Sequence, residues 1–254
     1  MMNRLKQLYW NWLAGRATQP QLGQRITPHD WMDAVEAYLP IERDRTVIID
    51  GGANHGRVAV ELAERFRGAI VHGFEPIAEV AQKAQDRLGD RPGRIHAMAL
   101  SDRSGTIPFN VNAGLATSSA LVPGSYNRQH HADNVRAVEQ REVPAVSLDD
   151  WVADSGLDSI DLLKLDLQGY ELNALRGAER LLAERRIRCI LTEVTFVPLY
   201  ENAPLFGDLD RHLRERGYDL LNLYELWTLH ETRQISCCDA LYVPREAIAA
   251  RAAA

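Results

Sequence analysis

The stretch from residue 46 to residue 56 constrains the fold of this chain more than any other. Residues 46–49 are β-branched, and they lead into Asp50 and then into Gly51, Gly52 and Gly56. A short apolar run that ends in a glycine-rich segment is typical of a buried parallel strand followed by a tight turn. Because glycine has no side chain, such a turn lets the backbone approach a ligand closely. The stretch therefore predicts a ligand-binding turn between a strand and a helix.

A second apolar run, residues 69–74, ends at Glu75, which follows Asp50 by 25 residues. In a doubly wound α/β sheet, an acidic residue at the tip of the second strand is placed to accept hydrogen bonds from the hydroxyls of a ribose. We therefore expect a cofactor that contains a nucleoside.

The chain has 254 residues, of which 46% are hydrophobic and 25% are charged. That length suits one sizeable α/β domain with extensions. The formal net charge of −6 disfavours a protein that binds the backbone of nucleic acid. The three cysteines have the spacing of neither a metal site nor a disulfide framework. No apolar run approaches the ~20 residues that span a bilayer and no signal peptide is visible, so we expect a cytoplasmic protein.

The pattern along the chain predicts an N-terminal helical extension (1–40), a main domain (41–246) and a short tail (247–254). Residues 1–17 carry apolar side chains at helical spacing together with several basic ones. We expect this basic helix to pack on its own domain or on the second subunit of a homodimer. Contact with a membrane surface is left open as the alternative.

In the main domain, apolar strand patterns alternate with helical patterns, which predicts a doubly wound, mostly parallel sheet. Residues 103–142 break this alternation, and we expect an insertion that either covers the site as a lid or is a solvated segment without a role. A continuous helix is predicted from residue 171 to residue 185. Near the C-terminus, the extended segments 227–230 and 239–243 have no helix between them, which predicts an antiparallel hairpin at one edge of the sheet.

The glycine turn fits S-adenosylmethionine better than a dinucleotide. Ala53 stands where the G-x-G-x-x-G pattern has its middle glycine, and that glycine exists to admit a pyrophosphate. S-adenosylmethionine has no pyrophosphate and needs only a small-residue turn for its methionine end and an acid for its ribose. Ser101 and Asp102 end the third predicted strand and are expected near the adenine. The predicted cofactor contacts are Asp50, Gly51, Gly52, Ala53, Asn54, Gly56, Glu75, Pro76, Ser101, Asp102 and Asp166.

Several short blocks of sequence point to a family when they are considered together. They are residues 49–56, 74–76, 99–102, 147–151, 164–171 and 192–194. In this order they resemble the FkbM-type family of S-adenosylmethionine-dependent methyltransferases, over about residues 45–243. Gln168 departs from the pattern, because the family often has Glu there. The resemblance implies a Rossmann-like class I methyltransferase fold with seven strands, the last one antiparallel. It also implies O-methylation of a hydroxyl on a sugar, a glycolipid or polysaccharide, or another natural product.

The candidate catalytic residues are Asp166, Glu193 and Lys164. Asp166 and Glu193 each end a predicted parallel strand, so both should face the cleft at the carboxyl edge of the sheet. An alcohol is a poor nucleophile until its proton leaves, so we expect Asp166 to act as a general base or to orient the acceptor. Its alternative role is to cap the next helix or to hold Lys164. Glu193 is expected to hold a second hydroxyl, to share a divalent metal with Asp166, or to pair with an arginine. Ser118 and Ser119 are expected to contact the acceptor.

Two other functions compete with a methyltransferase. A nicotinamide-dependent reductase would also need a Tyr-x-x-x-Lys pair, and Tyr170 is followed four residues later by Ala174. A non-catalytic module that binds an adenosine-containing ligand is the second alternative. Such a module would not depend on the carboxylates of Asp166 and Glu193.

Overall fold

The computed structural model describes residues 30–39 and 46–253. The predicted basic helix in residues 1–17 lies outside the described residues. The first described helix, α1 (Trp31–Glu36), begins after Asp30, whose side chain accepts the N–H of Met32 at 3.0 Å. No helix in the described part of the chain is long and apolar enough to cross a lipid bilayer.

Strands and helices alternate over most of the described chain. The strands are β1 (Val47–Gly51), β2 (Ile70–Phe74), β3 (Gly93–His96), β4 (Ala99–Leu100), β5 (Gly105–Asn112), β6 (Ala137–Val146), β7 (Ile160–Leu165), β8 (Ile187–Thr195), β9 (Tyr218–Thr228) and β10 (Ile235–Pro244). The helices after α1 are α2 (Arg57–Arg65), α3 (Ala78–Leu88), α4 (Ser125–His130), α5 (Ala132–Val135), α6 (Leu148–Ser155), α7 (Glu171–Arg176), α8 (Glu179–Ala183), α9 (Phe206–Glu215) and α10 (Arg245–Ala252), with a 3-10 turn at Leu115–Thr117.

Seven strands form one sheet in the order β3-β2-β1-β7-β8-β10-β9. The first five strands of this order are parallel, and β10 pairs antiparallel with both β8 and β9. The predicted doubly wound sheet and its C-terminal hairpin are thereby confirmed. The hairpin is longer than predicted, because residues 227 and 228 continue β9 rather than forming a separate strand.

The central strands are covered on both faces, so all residues of β1 and β7 are buried. Ile48 and Leu162 are register partners and pack with Leu62 of α2 on one face. Asp50 and Lys164 are the next pair along the same face. The alternation of side chains along the strands therefore places a carboxylate and an ammonium side by side, close to the carboxyl edge of the sheet.

The insertion at residues 103–142 supplies part of a second sheet. There β5 and β6 pair antiparallel, and β4 pairs with β6. Ile107 and Phe109 of β5 belong to a buried cluster with Ile77 and Val80 at the start of α3. The insertion is therefore a packed sheet rather than a loose loop.

The helix predicted from residue 171 to residue 185 is interrupted between α7 and α8, around Gly177. A Cβ atom on Gly177 would lie 2.0 Å from the carbonyl oxygen of Ser101. The prediction of one continuous helix was wrong. The helix is interrupted at a residue where the backbone of Ser101, far away in sequence, comes too close for any side chain.

Candidate active site

The turn between β1 and α2 depends on two glycines. Gly52 and Gly56 have φ angles of 82° and 75°, which glycine adopts without strain. A Cβ atom on Gly52 would lie 2.0 Å from the carbonyl oxygen of Asp166, and one on Gly56 would lie 2.9 Å from the backbone of Ala84. The glycines are therefore needed for the turn to pack against its neighbours, as well as for any approach to a ligand.

The backbone N–H groups of this turn are used within the protein. Gly52 and Ala53 both donate to the carbonyl oxygen of Phe74 at 3.0 Å, and Gly56 donates to Ala53 at 2.8 Å. Asn54 donates its N–H to the carboxylate of Glu75 at 3.1 Å. The N–H groups of residues 52–54 and 56 are thus already bonded within the protein and are not available to a pyrophosphate.

Glu75 lies directly after β2 and is buried, at 7% exposure. Its two carboxylate oxygens accept one backbone N–H each, from Asn54 and from Ile77 at 2.9 Å. Burial raises the pKa of Glu75 to about 7, although these two hydrogen bonds oppose the rise. A carboxylate oxygen has a second acceptor site, so Glu75 can accept hydroxyl donors while it holds the turn in place.

A cavity of about 490 Å³ opens over the turn, which is a size typical of small-molecule sites. Of the predicted site residues, it is lined by Gly52, Ala53, Asn54, Glu75, Pro76, Lys164 and Asp166. Its apolar lining includes Phe74, Leu100, Ile107 and Phe109, and its polar lining includes Ser118, Gln168 and Tyr170. The insertion therefore contributes part of the wall, through β5 and the segment that follows it.

Several predicted contacts do not line this cavity; these are Asp50, Gly51, Gly56, Ser101, Asp102 and Glu193. Ser101 is fully buried, and its Oγ lies 3.1 Å from Asp102 Oδ1 and 3.3 Å from the Tyr170 hydroxyl. The structure therefore gives no support to an adenine contact by Ser101. Ser119, expected to contact the acceptor, instead donates its hydroxyl to the carbonyl oxygen of Gln168 at 2.9 Å.

Asp50 and Lys164 form an ion pair beneath the cavity. Lys164 Nζ lies 3.5 Å from Asp50 Oδ1 and 3.8 Å from Asp166 Oδ2. Asp50 is fully buried, and neither of its carboxylate oxygens has a hydrogen-bond partner among the described residues. Burial raises the pKa of Asp50. Burial acts in the opposite direction on Lys164, but the surrounding carboxylates, Asp50 and Asp166 first, outweigh it and raise the pKa of Lys164.

Asp166 and Glu193 meet at Gln168, which the sequence marked only as a departure from the family pattern. Gln168 Nε2 lies 2.8 Å from Asp166 Oδ1 and 3.4 Å from Glu193 Oε2. The Asp166 side chain is 42% exposed, so its carboxylate reaches the cavity. Glu193 is more enclosed, and burial followed by the charge of Asp166 raises its pKa well above the ordinary value. An arginine partner of Glu193, one of its predicted roles, does not occur among the described ion pairs.

A second cavity, of about 410 Å³, adjoins the first and shares with it Arg57, Val58, Lys164 and Asp166. Its other lining residues are Asp30, Trp31, Met32, Glu61, Tyr224, Glu225 and Asp239. Arg57 is paired with Glu61 at 2.8 Å, so the carboxylates of this cavity outnumber its cations. Asp166 is thus the carboxylate that faces both cavities.

Glu171, the first residue of α7, bonds to the loop that precedes the helix. Its Oε1 accepts the N–H groups of Leu167 at 2.6 Å and Gly169 at 3.2 Å. Burial raises the pKa of Glu171 to about 7. As for the divalent metal left open by the sequence, no group of three or more His, Cys, Asp or Glu residues within the described ranges is arranged to hold one.

The parallel sheet with a terminal antiparallel hairpin, and a small-residue turn followed by an acid on the next strand, define the class I methyltransferase architecture. Residues 50–220 match the family described as the methyltransferase FkbM domain. The chain therefore belongs to the FkbM methyltransferase family, and it is a methyltransferase. Membership confirms the resemblance seen in the sequence and excludes the reductase and the non-catalytic module.

Among curated proteins, the chain is 32% identical over 178 residues to the 2-O-methyltransferase NoeI of Sinorhizobium fredii, covering 67% of this chain and 72% of that one. It is 27% identical to the 31-O-demethyl-FK506 methyltransferase FkbM of Streptomyces tacrolimicus, covering 70% and 75%. A solved magnesium protoporphyrin IX methyltransferase from Synechocystis, with bound S-adenosylmethionine, is similar at a TM-score of 0.44 and 13% identity, covering 84% and 74%. A structural similarity this distant says nothing about ligand or substrate.

Proposed function

We propose that this protein is an S-adenosylmethionine-dependent O-methyltransferase that acts on a hydroxyl of a saccharide or a related natural product. The observation that carries the proposal is one cavity in which Glu75, directly after β2, faces the same space as the carboxylate of Asp166. Such a site suits a cofactor that contains a nucleoside, next to a group able to take a proton. The relatives named as O-methyltransferases support the choice of a hydroxyl acceptor.

The cavity residues fit the parts of S-adenosylmethionine. Glu75 would accept the ribose hydroxyls, and the turn at Gly52 and Ala53 would lie against the methionine end. The apolar side chains of Phe74 and Leu100 would pack on the adenine. When bound, the cofactor supplies a methyl group that its sulfonium already activates.

We assign Asp166 the role of general base, because it is the exposed carboxylate that faces both cavities. It would accept the proton of the acceptor hydroxyl as the oxygen attacks, since an alkoxide is far more nucleophilic than an alcohol. Glu193, whose carboxyl lies beside Asp166 through Gln168, would hydrogen-bond to a second hydroxyl of the acceptor. Lys164, whose ammonium lies 3.8 Å from Asp166 Oδ2, would help to hold this carboxylate in position.

The acceptor would approach Asp166 through the second cavity. Several carboxylates line that cavity, and one of its two cations, Arg57, is paired with Glu61. An anionic acceptor would be repelled there, so we expect a neutral saccharide or another uncharged polyol.

The test measures transfer of a labelled methyl group from S-adenosylmethionine to methyl glucoside, methyl fucoside and chitotetraose, with methyl glucuronide as the anionic comparison. Calorimetry with S-adenosylhomocysteine measures cofactor binding separately. Asp166→Asn should retain cofactor binding and lower the transfer rate by about 100-fold or more. Asp154→Asn, an exposed substitution on α6, is the matched control and should leave both unchanged.

Three outcomes would contradict the proposal. Absence of binding heat with S-adenosylhomocysteine would remove the cofactor assignment. Full transfer activity in Asp166→Asn would remove the general-base assignment. Faster methylation of methyl glucuronide than of the neutral glycosides would contradict the preference for an uncharged acceptor that we infer from the carboxylates of the second cavity.

A further inference from the structure

Gln168 adopts a backbone conformation that residues other than glycine rarely take. Its φ angle is 56°, in the left-handed region, which costs a non-glycine residue about 1 kcal/mol or more. Three contacts hold it there: the Ser119 hydroxyl on its carbonyl oxygen, and the Glu171 carboxylate on the N–H groups of Leu167 and Gly169 on either side. Unusual backbone geometry that several independent contacts maintain is characteristic of residues with a functional position.

Both polar atoms of the Gln168 side-chain amide have hydrogen-bond partners. Its Oε1 lies 2.9 Å from the hydroxyl of Tyr200, and its Nε2 lies 2.8 Å from Asp166 Oδ1. Burial raises the pKa of Tyr200, so this hydroxyl keeps its proton and remains a donor. The same hydroxyl lies 3.0 Å from the carbonyl oxygen of Thr117, so its one proton lies between two acceptors.

Only one orientation of the amide is compatible with these neighbours. If the amide were reversed, its oxygen would face the carboxylate of Asp166, and two acceptors would then lie 2.8 Å apart without a proton between them. With Nε2 toward the carboxylates, one N–H is directed to Asp166 and the other to Glu193 at 3.4 Å. The Tyr200 hydroxyl stabilises this orientation by donating to the amide oxygen.

Gln168 and Lys164 together bracket the carboxylate of Asp166. The amide of Gln168 bonds Oδ1, while the ammonium of Lys164 lies 3.8 Å from Oδ2. We infer that Gln168 is a positioning residue, oriented by Tyr200, which holds the Asp166 carboxylate toward the acceptor hydroxyl and keeps the Glu193 carboxyl beside it. The inference rests on the proposed role of Asp166 as the base.

The experiment compares Gln168→Met, Tyr200→Phe, the double variant and Gln82→Met. Methionine keeps the length of glutamine but removes its hydrogen bonds. The matched control breaks a glutamine–aspartate hydrogen bond of similar length, since Gln82 Nε2 lies 2.9 Å from Asp86 Oδ1 on the exposed face of α3. The readouts are kcat and KM for the methyl glycoside that accepts label, the affinity for S-adenosylhomocysteine, and the side-chain amide signal of Gln168 in 15N-labelled protein.

We expect Gln168→Met to lower kcat by about 10- to 100-fold, with less than about a threefold change in KM and in S-adenosylhomocysteine affinity. Tyr200→Phe should lower kcat by a smaller factor, and it should add nothing to the loss in the double variant, because Tyr200 acts through the amide that methionine has already removed. Gln82→Met should leave all three constants unchanged. The Gln168 amide signal should shift in both Tyr200→Phe and Asp166→Asn.

Two results would overturn the inference. In the first, Gln168→Met has the same kcat as the control Gln82→Met, while Asp166→Asn is inactive. This result would exclude a positioning role for Gln168 and leave the proposed function intact. The other is a Gln168 amide signal that moves in neither Tyr200→Phe nor Asp166→Asn, which needs no acceptor to observe. Failure of the wild-type protein to bind S-adenosylhomocysteine would instead count against the proposed function.

Discussion

Two regions at the carboxyl edge of the sheet both contain left-handed backbone, but what maintains this conformation differs between them. The glycine turn at residues 51–56 and the acceptor loop at residues 166–169 both contain left-handed residues. In the glycine turn, Gly52 and Gly56 adopt this conformation because they have no side chain, although Asn54 between them, at a φ of 46°, shares it. In the acceptor loop, Gln168 adopts it because other side chains hold it there.

The difference teaches how each region should respond to substitution. The glycine turn has no space for a Cβ atom at Gly52, so any side chain there meets backbone that cannot move cheaply. The acceptor loop is maintained by separate hydrogen bonds, each worth roughly 0.5–1.5 kcal/mol, so it should weaken in steps. One substitution in the glycine turn is therefore expected to destabilise the whole turn. Substitutions around the acceptor loop should each cause a smaller, separate loss.

The largest effect is expected at Gly52. In Gly52→Ala the new methyl group would lie 2.0 Å from the carbonyl oxygen of Asp166, with φ at 82°. We expect a loss of about 3 kcal/mol or more in the free energy of unfolding, measured with urea. The control is Gly207→Ala in α9, where a Cβ atom meets nothing within 4 Å and alanine should stabilise the helix by up to about 1 kcal/mol. An unchanged urea midpoint for Gly52→Ala would remove the contrast between the two regions.

The same contrast explains what the sequence could predict. The strand at residues 47–51, its glycine turn and Glu75 follow from local rules, since an apolar run, a small-residue turn and an acid at the next strand tip are close together in the chain. The mostly parallel sheet followed from the alternation of patterns, and the hairpin from the missing helix before β10. These features needed no knowledge of distant contacts.

The acceptor loop depends on contacts that no local pattern carries. Ser119 and Tyr200 reach Gln168 across 49 and 32 residues, so a sequence without the fold gives no reason to connect them. Ser119 was instead expected to contact the acceptor. The interruption at Gly177 likewise coincides with a distant contact, the close approach of the Ser101 backbone. Strand tips indicate which residues reach the edge of the sheet, but not which of them bond to each other.

Lys164 joins the two regions, since it pairs with Asp50 beneath the turn and with Asp166 at the start of the acceptor loop. Lys164→Met would leave Asp50 buried without a counter-charge, so we expect a loss of about 3 kcal/mol in the free energy of unfolding. Adding Asp50→Asn should recover a large part of this loss, because the unpaired buried charge is then removed.

The control for the Lys164 variant is Glu61→Gln, which breaks an exposed pair with Arg57 and should hardly change the urea midpoint. A Lys164→Met protein that is as stable as this control would show that Asp50 is uncharged in the folded state. The buried pair would then contribute nothing to holding the two regions together.

The smallest expected effect is a dependence of cofactor affinity on pH. Burial raises the pKa of Glu75 to about 7, and only its ionised form accepts both ribose hydroxyls. The affinity for S-adenosylhomocysteine should therefore be constant above pH 7 and fall by roughly tenfold per unit below it. Glu75→Gln should bind more weakly at pH 8 and lose this slope. The exposed Glu79→Gln on α3 should keep it.

The stability of the ligand-free protein should change in the opposite direction over the same pH range. Because the pKa of Glu75 is higher in the folded state than the ordinary value of 4.5, the folded protein holds the proton more tightly than the unfolded chain does. The resulting stabilisation is complete below pH 4.5 and is lost as the pH rises through 7. Calorimetric titration and urea unfolding between pH 4.5 and pH 8 measure the two effects. Two results together would show that Glu75 is not the carboxylate that binds the ribose: a cofactor affinity that does not change with pH, and a Glu75→Gln protein whose stability depends on pH as that of the wild type does. The local sequence rules would then have predicted the glycine turn but not the ribose contact.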